Sequence, residues 1–250
     1  TLADTAVALA DTLGYRPLVA RAYLARGRVA LERRGDDFGA ADFDAAVTHG
    51  LATGEFALAI EAYARRVYAH TMVATGATVS LDGLAGMIGI GAWAGHRADV
   101  GQALLFNNLG VAARVAGVPP LARRAFARAL ELAAAVTGPG AVELTVAQAN
   151  LMQVEPDPAA RARLGRGAVA TLSARLGPTH PRTLEMELHL AMASAAPDDV
   201  AARLAPLLDQ IALVHPELTG LRTEFGSELL WLAMLSDQRA LVARTAARIE

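Results

Sequence analysis

The sequence has 250 residues, of which 54% are hydrophobic and only 5% aromatic, and its formal net charge is −2. It lacks the clustered basic excess typical of phosphate-binding domains, so we predict no nucleic-acid partner. The absence of cysteine excludes disulfides and thiolate metal sites, and the absence of lysine excludes a catalytic lysine. Because the most apolar stretch, Leu84 to Ala94, is too short to cross a bilayer, we expect a soluble, cytoplasmic protein without membrane insertion.

Glycine and proline interrupt a helical apolar periodicity at short, regular intervals along the chain. The segments between these breakers are roughly 14–20 residues long, as is usual for globular helices. We therefore predict about thirteen helices, and short turns make neighbouring helices antiparallel. The pattern begins at Thr1 without methionine and is unfinished at Glu250, so we expect a piece of a longer polypeptide.

An internal repeat appears when two windows of the chain are aligned without a gap. They match at relative positions 4, 8, 11, 20, 24 and 27, which hold Tyr23, Gly27, Ala30, Gly39, Phe43 and Ala46 in the first window and Phe106, Gly110, Ala113, Ala122, Phe126 and Ala129 in the second. This alternation of bulky and small residues resembles the tetratricopeptide repeat. Small residues at positions 8 and 20 let the two helices touch, and the aromatic residue at position 24 fills the junction with the next repeat.

The predicted fold class is all-α: a right-handed superhelical array of antiparallel helix pairs, that is, a tetratricopeptide-repeat α-solenoid. We predict one array over residues 1–250, with clear repeats at about 20–52 and 103–136. Degenerate repeats are expected at about 54–95, 141–176, 180–214 and 216–250. Leu2–Leu13 is predicted to be the second helix of a preceding repeat, and Gln238–Glu250 the last helix.

Two motifs resemble longer repeats of the kinesin-light-chain type. They are Asn107-Asn108-Leu109-Gly110 and Leu176-Gly177-Pro178-Thr179-His180-Pro181. The leading segment Leu13-Gly14-Tyr15-Arg16-Pro17-Leu18, which runs into Ala20-Arg21-Ala22, resembles the start of the repeat regions that follow the kinase domain in bacterial, notably myxobacterial, serine/threonine kinases. That resemblance implies a regulatory or substrate-docking role in signalling.

In tetratricopeptide repeats, the first helix of each pair faces the concave surface through positions 2, 5, 6, 9, 12 and 13. The partner-binding residues predicted in this way are Arg21, Leu24, Arg28, Leu104, Asn107, Asn108, Val111, Arg114, Asn150 and Gln153. Amides can pair with a peptide backbone and guanidinium groups with its acids. An alternative is that Asn108 and Asn150 merely bridge neighbouring helices. Positions 5 and 9 do not carry the lysine and asparagine of a carboxylate clamp, so binding of a chaperone tail is disfavoured.

No set of residues in the sequence predicts catalysis, a metal site or a cofactor. The glycines between Gly83 and Gly95 lack the preceding strand of a dinucleotide site, so we interpret them as a thinly packed helix. Glu185 and His189 are one helical turn apart, but without a second histidine we expect a surface or packing pair. We predict a protein-binding scaffold with a protein or peptide partner and weak self-association through exposed repeat ends. The alternative is a ligand-sensing repeat domain of a transcriptional regulator or ATPase.

Overall fold

The computed structural model describes residues 1–33, 37–73, 81–93, 100–137, 144–193 and 197–235. All secondary structure within these ranges is helical, which confirms the all-α prediction. The described helices are α1 (Leu2–Leu13), α2 (Arg16–Glu32), α3 (Ala40–Thr53), α4 (Phe56–Val73), α5 (Leu84–Trp93), α6 (Val100–Val115), α7 (Pro119–Thr137), α8 (Leu144–Val154), α9 (Pro158–Leu176), α10 (Pro181–Met192), α11 (Pro197–Val214) and α12 (Thr219–Leu235). The predicted last helix, Gln238–Glu250, lies outside the described residues.

Local sequence signals account for where several helices begin and end. The Thr1 side chain accepts a hydrogen bond from the Asp4 backbone in a capping box, and Gly14 ends α1 with a φ of 64°. The Asp157 side chain caps α9 by accepting hydrogen bonds from the backbone N–H groups of Ala159 and Ala160. Pro158 occupies the first turn, where the N–H that proline lacks would have no partner within the helix. These caps fix the short turns that join successive helices.

The chain divides into two compact units, Thr1–Pro139 with α1 to α7 and Gly140–Glu250 with α8 to α12. Each unit is built of consecutive helices that pack against one another. The single continuous array over residues 1–250 stays a prediction. Within the part of the chain that the structure describes, no helix combines the length and apolar character needed to cross a membrane.

Unit 1 is organised around α4, which packs on α3 and directly on α6. Its side chains Ile60, Tyr63 and Val67 are almost fully buried. The following helix, α5, contains the glycine run and packs lightly: a Cβ added at Gly86 or Gly89 would meet no atom within 4 Å. Gly86 and Gly89 thus lie on a thinly packed part of α5, as predicted, whereas Gly91 is closely packed, because a Cβ there would overlap the Gln102 side chain. Gly83 precedes α5, and Gly95 lies outside the described residues.

The two clear repeats share one packing detail between their helices. A Cβ on Gly27 would lie 2.7 Å from the ring of Phe43, and one on Gly110 would lie 2.5 Å from the ring of Phe126. Both rings are 0% exposed. Gly39, at position 20 of the first window, approaches the backbone of Gly27 from the other side. The small residues at positions 8 and 20 thus let the helices touch, as the repeat pattern predicts.

Unit 2 uses the same kind of contact with the residue sizes exchanged. Met152 takes the place of the position 8 glycine on α8 and is almost fully buried. On the second helix, α9, Gly165 makes room for it: a Cβ there would lie 2.7 Å from the Met152 sulfur and 2.6 Å from Leu190. The degenerate repeat therefore keeps close helix contact without keeping the residue pattern.

Candidate partner-binding surface

The ten predicted partner-binding residues lie on first helices of the pairs. Those of unit 1 stand on α2 and α6, and those of unit 2 on α8. The structure brings the unit 1 residues together through α4, which lies between the other two first helices.

Two arginines of α2 form ion pairs with α4 or with the residue just before it. Arg21 Nη2 donates to Glu55 Oε1 at 3.1 Å, and Arg28 Nε donates to Glu61 Oε1 at 3.1 Å. Arg65, on α4 itself, donates to the same Glu61 oxygen at 2.8 Å. We call these five side chains the unit 1 ion-pair row.

Glu61 is the shared acceptor of this row and is about half-buried. Burial raises the pKa of its carboxyl group, but hydrogen bonds from Arg28 and Arg65 outweigh that effect and leave the pKa below its usual value. Glu61 is therefore ionised at neutral pH. The positive charge that the sequence places on this face is largely balanced within unit 1 itself.

Three predicted contact residues are buried by their neighbours. Leu24, Asn108 and Val111 are 6%, 5% and 6% exposed. Asn108 Nδ2 donates to the backbone carbonyl of Ala64 on α4 at 2.8 Å, so it bridges two helices, which is the alternative that the sequence left open. Helical spacing places these side chains on one face but does not show that α4 covers that face.

The other predicted residues of unit 1 are more accessible. Leu104 is half-buried against the core around Ile60 and Tyr63. Asn107 is partly exposed, and its Nδ2 donates to Asn108 Oδ1 at 3.2 Å. Arg114 is exposed near the end of α6. A partner lying on this face would meet Arg21, Arg28, Asn107 and Arg114.

In unit 2 the first helices border two adjacent cavities that meet at His189. The first, of about 220 Å³, lies between α8 and α10 and includes the predicted residue Asn150. The second, of about 310 Å³, is lined by α8, α10 and α12 and includes the predicted residue Gln153. We call the two together the unit 2 groove. Asn150 and Gln153 share it with residues that the sequence did not single out as contacts.

The floor of the unit 2 groove is apolar and its rim is charged. Leu172 and Met186 lie under the first cavity, and Met152, Met192 and Phe225 under the second. The His189 ring stands edge-on to Phe225 with their centroids 5.1 Å apart. The rim carries Arg161, Arg182, Glu185, Glu224 and Glu228. The contribution of α12 could not be inferred from sequence, because the repeat pattern is degenerate there.

Glu185 and His189 both line the first cavity, on the same side of α10. Among the described residues, no group of three or more histidine, aspartate or glutamate side chains is placed to hold a metal ion. The packing of His189 on Phe225 agrees with its interpretation as a helix-packing residue.

Comparison with known proteins relates the chain to others through its fold. No family model matches it, and neither does any curated protein sequence. It is similar to the crystal structure of BtubC (BKLC) from P. vanneervenii, with a TM-score of 0.53 and 11% identity, over 100% of this chain and 90% of that one. BtubC is a kinesin light chain-like tetratricopeptide-repeat protein.

This chain has a tetratricopeptide-like helical-repeat fold. At 11% identity the likeness is one of fold alone.

Proposed function

We propose that this chain is a protein-interaction module that binds an extended peptide segment of a partner along the faces of its first helices. The observation that carries the proposal is the unit 2 groove, where three successive first helices border two adjoining cavities with an apolar floor and a charged rim. Peptide-recognition sites combine apolar pockets for side chains with polar groups that orient the backbone. Asn150 and Gln153 provide amides of that kind.

Selection of peptides from a random library displayed on phage tests the proposal. We expect peptides to be enriched on the wild-type chain and to lose affinity for the variant Val146→Arg/Arg182→Glu. Both residues are exposed and line the first cavity, so this double change alters the unit 2 groove itself. Binding is measured by fluorescence anisotropy with the enriched peptides.

A matched variant, Arg124→Glu/Val136→Arg, makes the same residue exchanges on α7, a second helix, at two exposed positions. It is expected to bind the enriched peptides like the wild type. If both variants lose affinity equally, or if no peptide is enriched, the first-helix faces are not the binding surface.

We further propose that the module serves as the regulatory or substrate-docking region of a bacterial signalling kinase. The support is the resemblance of Leu13–Leu18 to the start of such repeat regions. In the structure, Gly14 and Pro17 of this segment also serve to end α1 and begin α2. Sequencing of the complete gene tests this point: a serine/threonine kinase domain in the same polypeptide is the expected result.

A small ligand in the unit 2 groove has less support than a peptide. Small-molecule sites have volumes of roughly 300–1,000 Å³ and enclose most of the ligand. The two cavities of the unit 2 groove, at about 220 and 310 Å³, lie at or below the lower end of that range. An adjoining pair of small cavities fits successive side chains of a peptide better.

A further inference from the structure

We infer that the second cavity of the unit 2 groove receives a basic side chain of the bound peptide, next to an apolar residue held in the first cavity. This inference rests on the proposed function, because it assigns the chemistry of the peptide that the module would bind. Three features carry it: the apolar floor, the carboxylates of α12, and the contrast with the ion-pair row of unit 1.

The floor of the second cavity suits the aliphatic part of a long side chain. Met192 and Phe225 line it, and Phe225 is only 4% exposed. Arginine and lysine commonly lay their methylene stems on apolar surface while their charged heads stay near water. A basic side chain can therefore bury its stem here and place its head at the rim.

The rim supplies the opposite charge. Glu224 and Glu228 lie one helical turn apart on α12, where residues four apart share a face, and both line the cavity. Neither forms an ion pair within the part of the chain that the structure describes. Arg161 lines the same cavity, and its buried Nε has no hydrogen-bond partner there. Two carboxylates and one guanidinium leave a net negative rim.

The contrast with unit 1 shows why the carboxylates of α12 matter. In unit 1, the glutamates beside the first helices are engaged by arginines: Glu55 by Arg21, and Glu61 by Arg28 and Arg65. The chain thus neutralises carboxylates on that face where arginines are within reach. Glu224 and Glu228 are exposed without such a partner, so a ligand is left to supply the positive charge.

Fluorescence anisotropy with three labelled synthetic peptides tests the inference. One alternates leucine with arginine, and in the other two glutamine or glutamate replaces each arginine. We expect the wild type to bind the arginine peptide about three- to tenfold more tightly than the glutamine peptide, as suits exposed ion pairs. The glutamate peptide should bind most weakly. The preference should shrink as ionic strength rises.

The variant Glu224→Gln/Glu228→Gln should lose this preference and still bind the glutamine peptide. The matched control Glu131→Gln/Asp209→Asn removes the same charge at exposed positions that line neither cavity and should keep the preference. Equal loss in both variants, or tighter binding of the glutamate peptide, would overturn the inference.

Failure of the inference can be told apart from failure of the proposed function. If the three peptides bind alike and Val146→Arg abolishes their binding, the groove binds peptides but does not select a basic side chain. If none of them binds and no phage peptide is enriched, both the inference and the proposed function are wrong.

Discussion

At the scale of single residues, glycines set the distance between helices in this protein. Gly27 and Gly110 each contact the ring of a buried phenylalanine from the second helix of the pair. A methyl group at either position would clash with a phenylalanine ring, which is rigid and cannot bend away as the end of a flexible side chain can. At a helical glycine with open space around it, the same substitution has the opposite consequence, because alanine is the better helix former.

We therefore predict opposite effects for one substitution at two sites. Gly110→Ala should lower the free energy of unfolding by about 1–3 kcal/mol through overpacking against Phe126. Gly167→Ala, on α9, should raise it by up to about 1 kcal/mol, because an added Cβ there meets no atom within 4 Å. Urea denaturation measures both. Destabilisation of similar size at both sites would show that packing on Phe126 is not the cause.

The same residues show how far sequence reasoning reaches. The pairing of small and aromatic residues was predicted, because both members fall at fixed positions of a known pattern. The burial of Leu24, Asn108 and Val111 was not, because helical spacing identifies a face but not the helix that covers it. From sequence alone, Asn108 is as well suited to bind a partner as to bridge two helices. Its hydrogen bond to the Ala64 carbonyl decides between these roles. The acidic rim on α12 was missed for a related reason: it forms only when α10 and α12 lie side by side.

At the scale of helices, the turns of unit 2 are joined by a histidine. His215 lies in the turn between α11 and α12, where its Nδ1 is 3.0 Å from Glu217 Oε1 and its Nε2 is 2.8 Å from the Thr179 carbonyl, before α10. Both partners are hydrogen-bond acceptors. Neutral imidazole has one N–H and can donate to only one of them, whereas the protonated ring can donate to both.

This contact predicts a pH dependence of stability. The hydrogen bonds to Glu217 and Thr179 raise the pKa of His215, so the protonated form is favoured in the folded state. Its stabilisation is fully present below the unfolded pKa of about 6.5 and is lost as pH rises through the higher folded pKa. The Glu217 carboxylate accepts hydrogen bonds from its own backbone N–H and from His215, and these bonds lower its pKa. The stabilisation that depends on ionised Glu217 is therefore lost only as pH falls through this lowered pKa.

Nuclear magnetic resonance titration of His215, together with thermal unfolding across the same pH range, measures the effect. Glu217→Gln should lower the pKa of His215 towards its usual value, and His215→Gln should flatten the loss of stability above neutral pH. An unchanged His215 pKa in Glu217→Gln would rule out the carboxylate as a cause.

At the scale of the whole molecule, α1 presents an apolar face. Leu2, Leu9 and Leu13 are spaced to lie on one side of the helix and are 91%, 59% and 61% exposed. The opposite side, with Val7 and Ala10, packs on α2.

Self-association through this face is our prediction for the chain in solution. Light scattering should show weak, concentration-dependent oligomers that are reduced in Leu9→Glu/Leu13→Glu, because charge on the face opposes its burial. Leu213→Glu/Val214→Glu changes two exposed apolar residues on α11 and should leave association unchanged. Strictly monomeric wild-type protein, or equal loss in both variants, would contradict the assignment to α1.

The contact between Met152 and Gly165 has a consequence for recognising such repeats from sequence. In the clear repeats a glycine on the first helix meets an aromatic residue on the second, whereas here a large residue on the first helix meets a glycine on the second. Close contact between two helices therefore requires one small residue but does not fix which helix carries it. A pattern that requires a small residue at position 8 does not detect a repeat built in this second way.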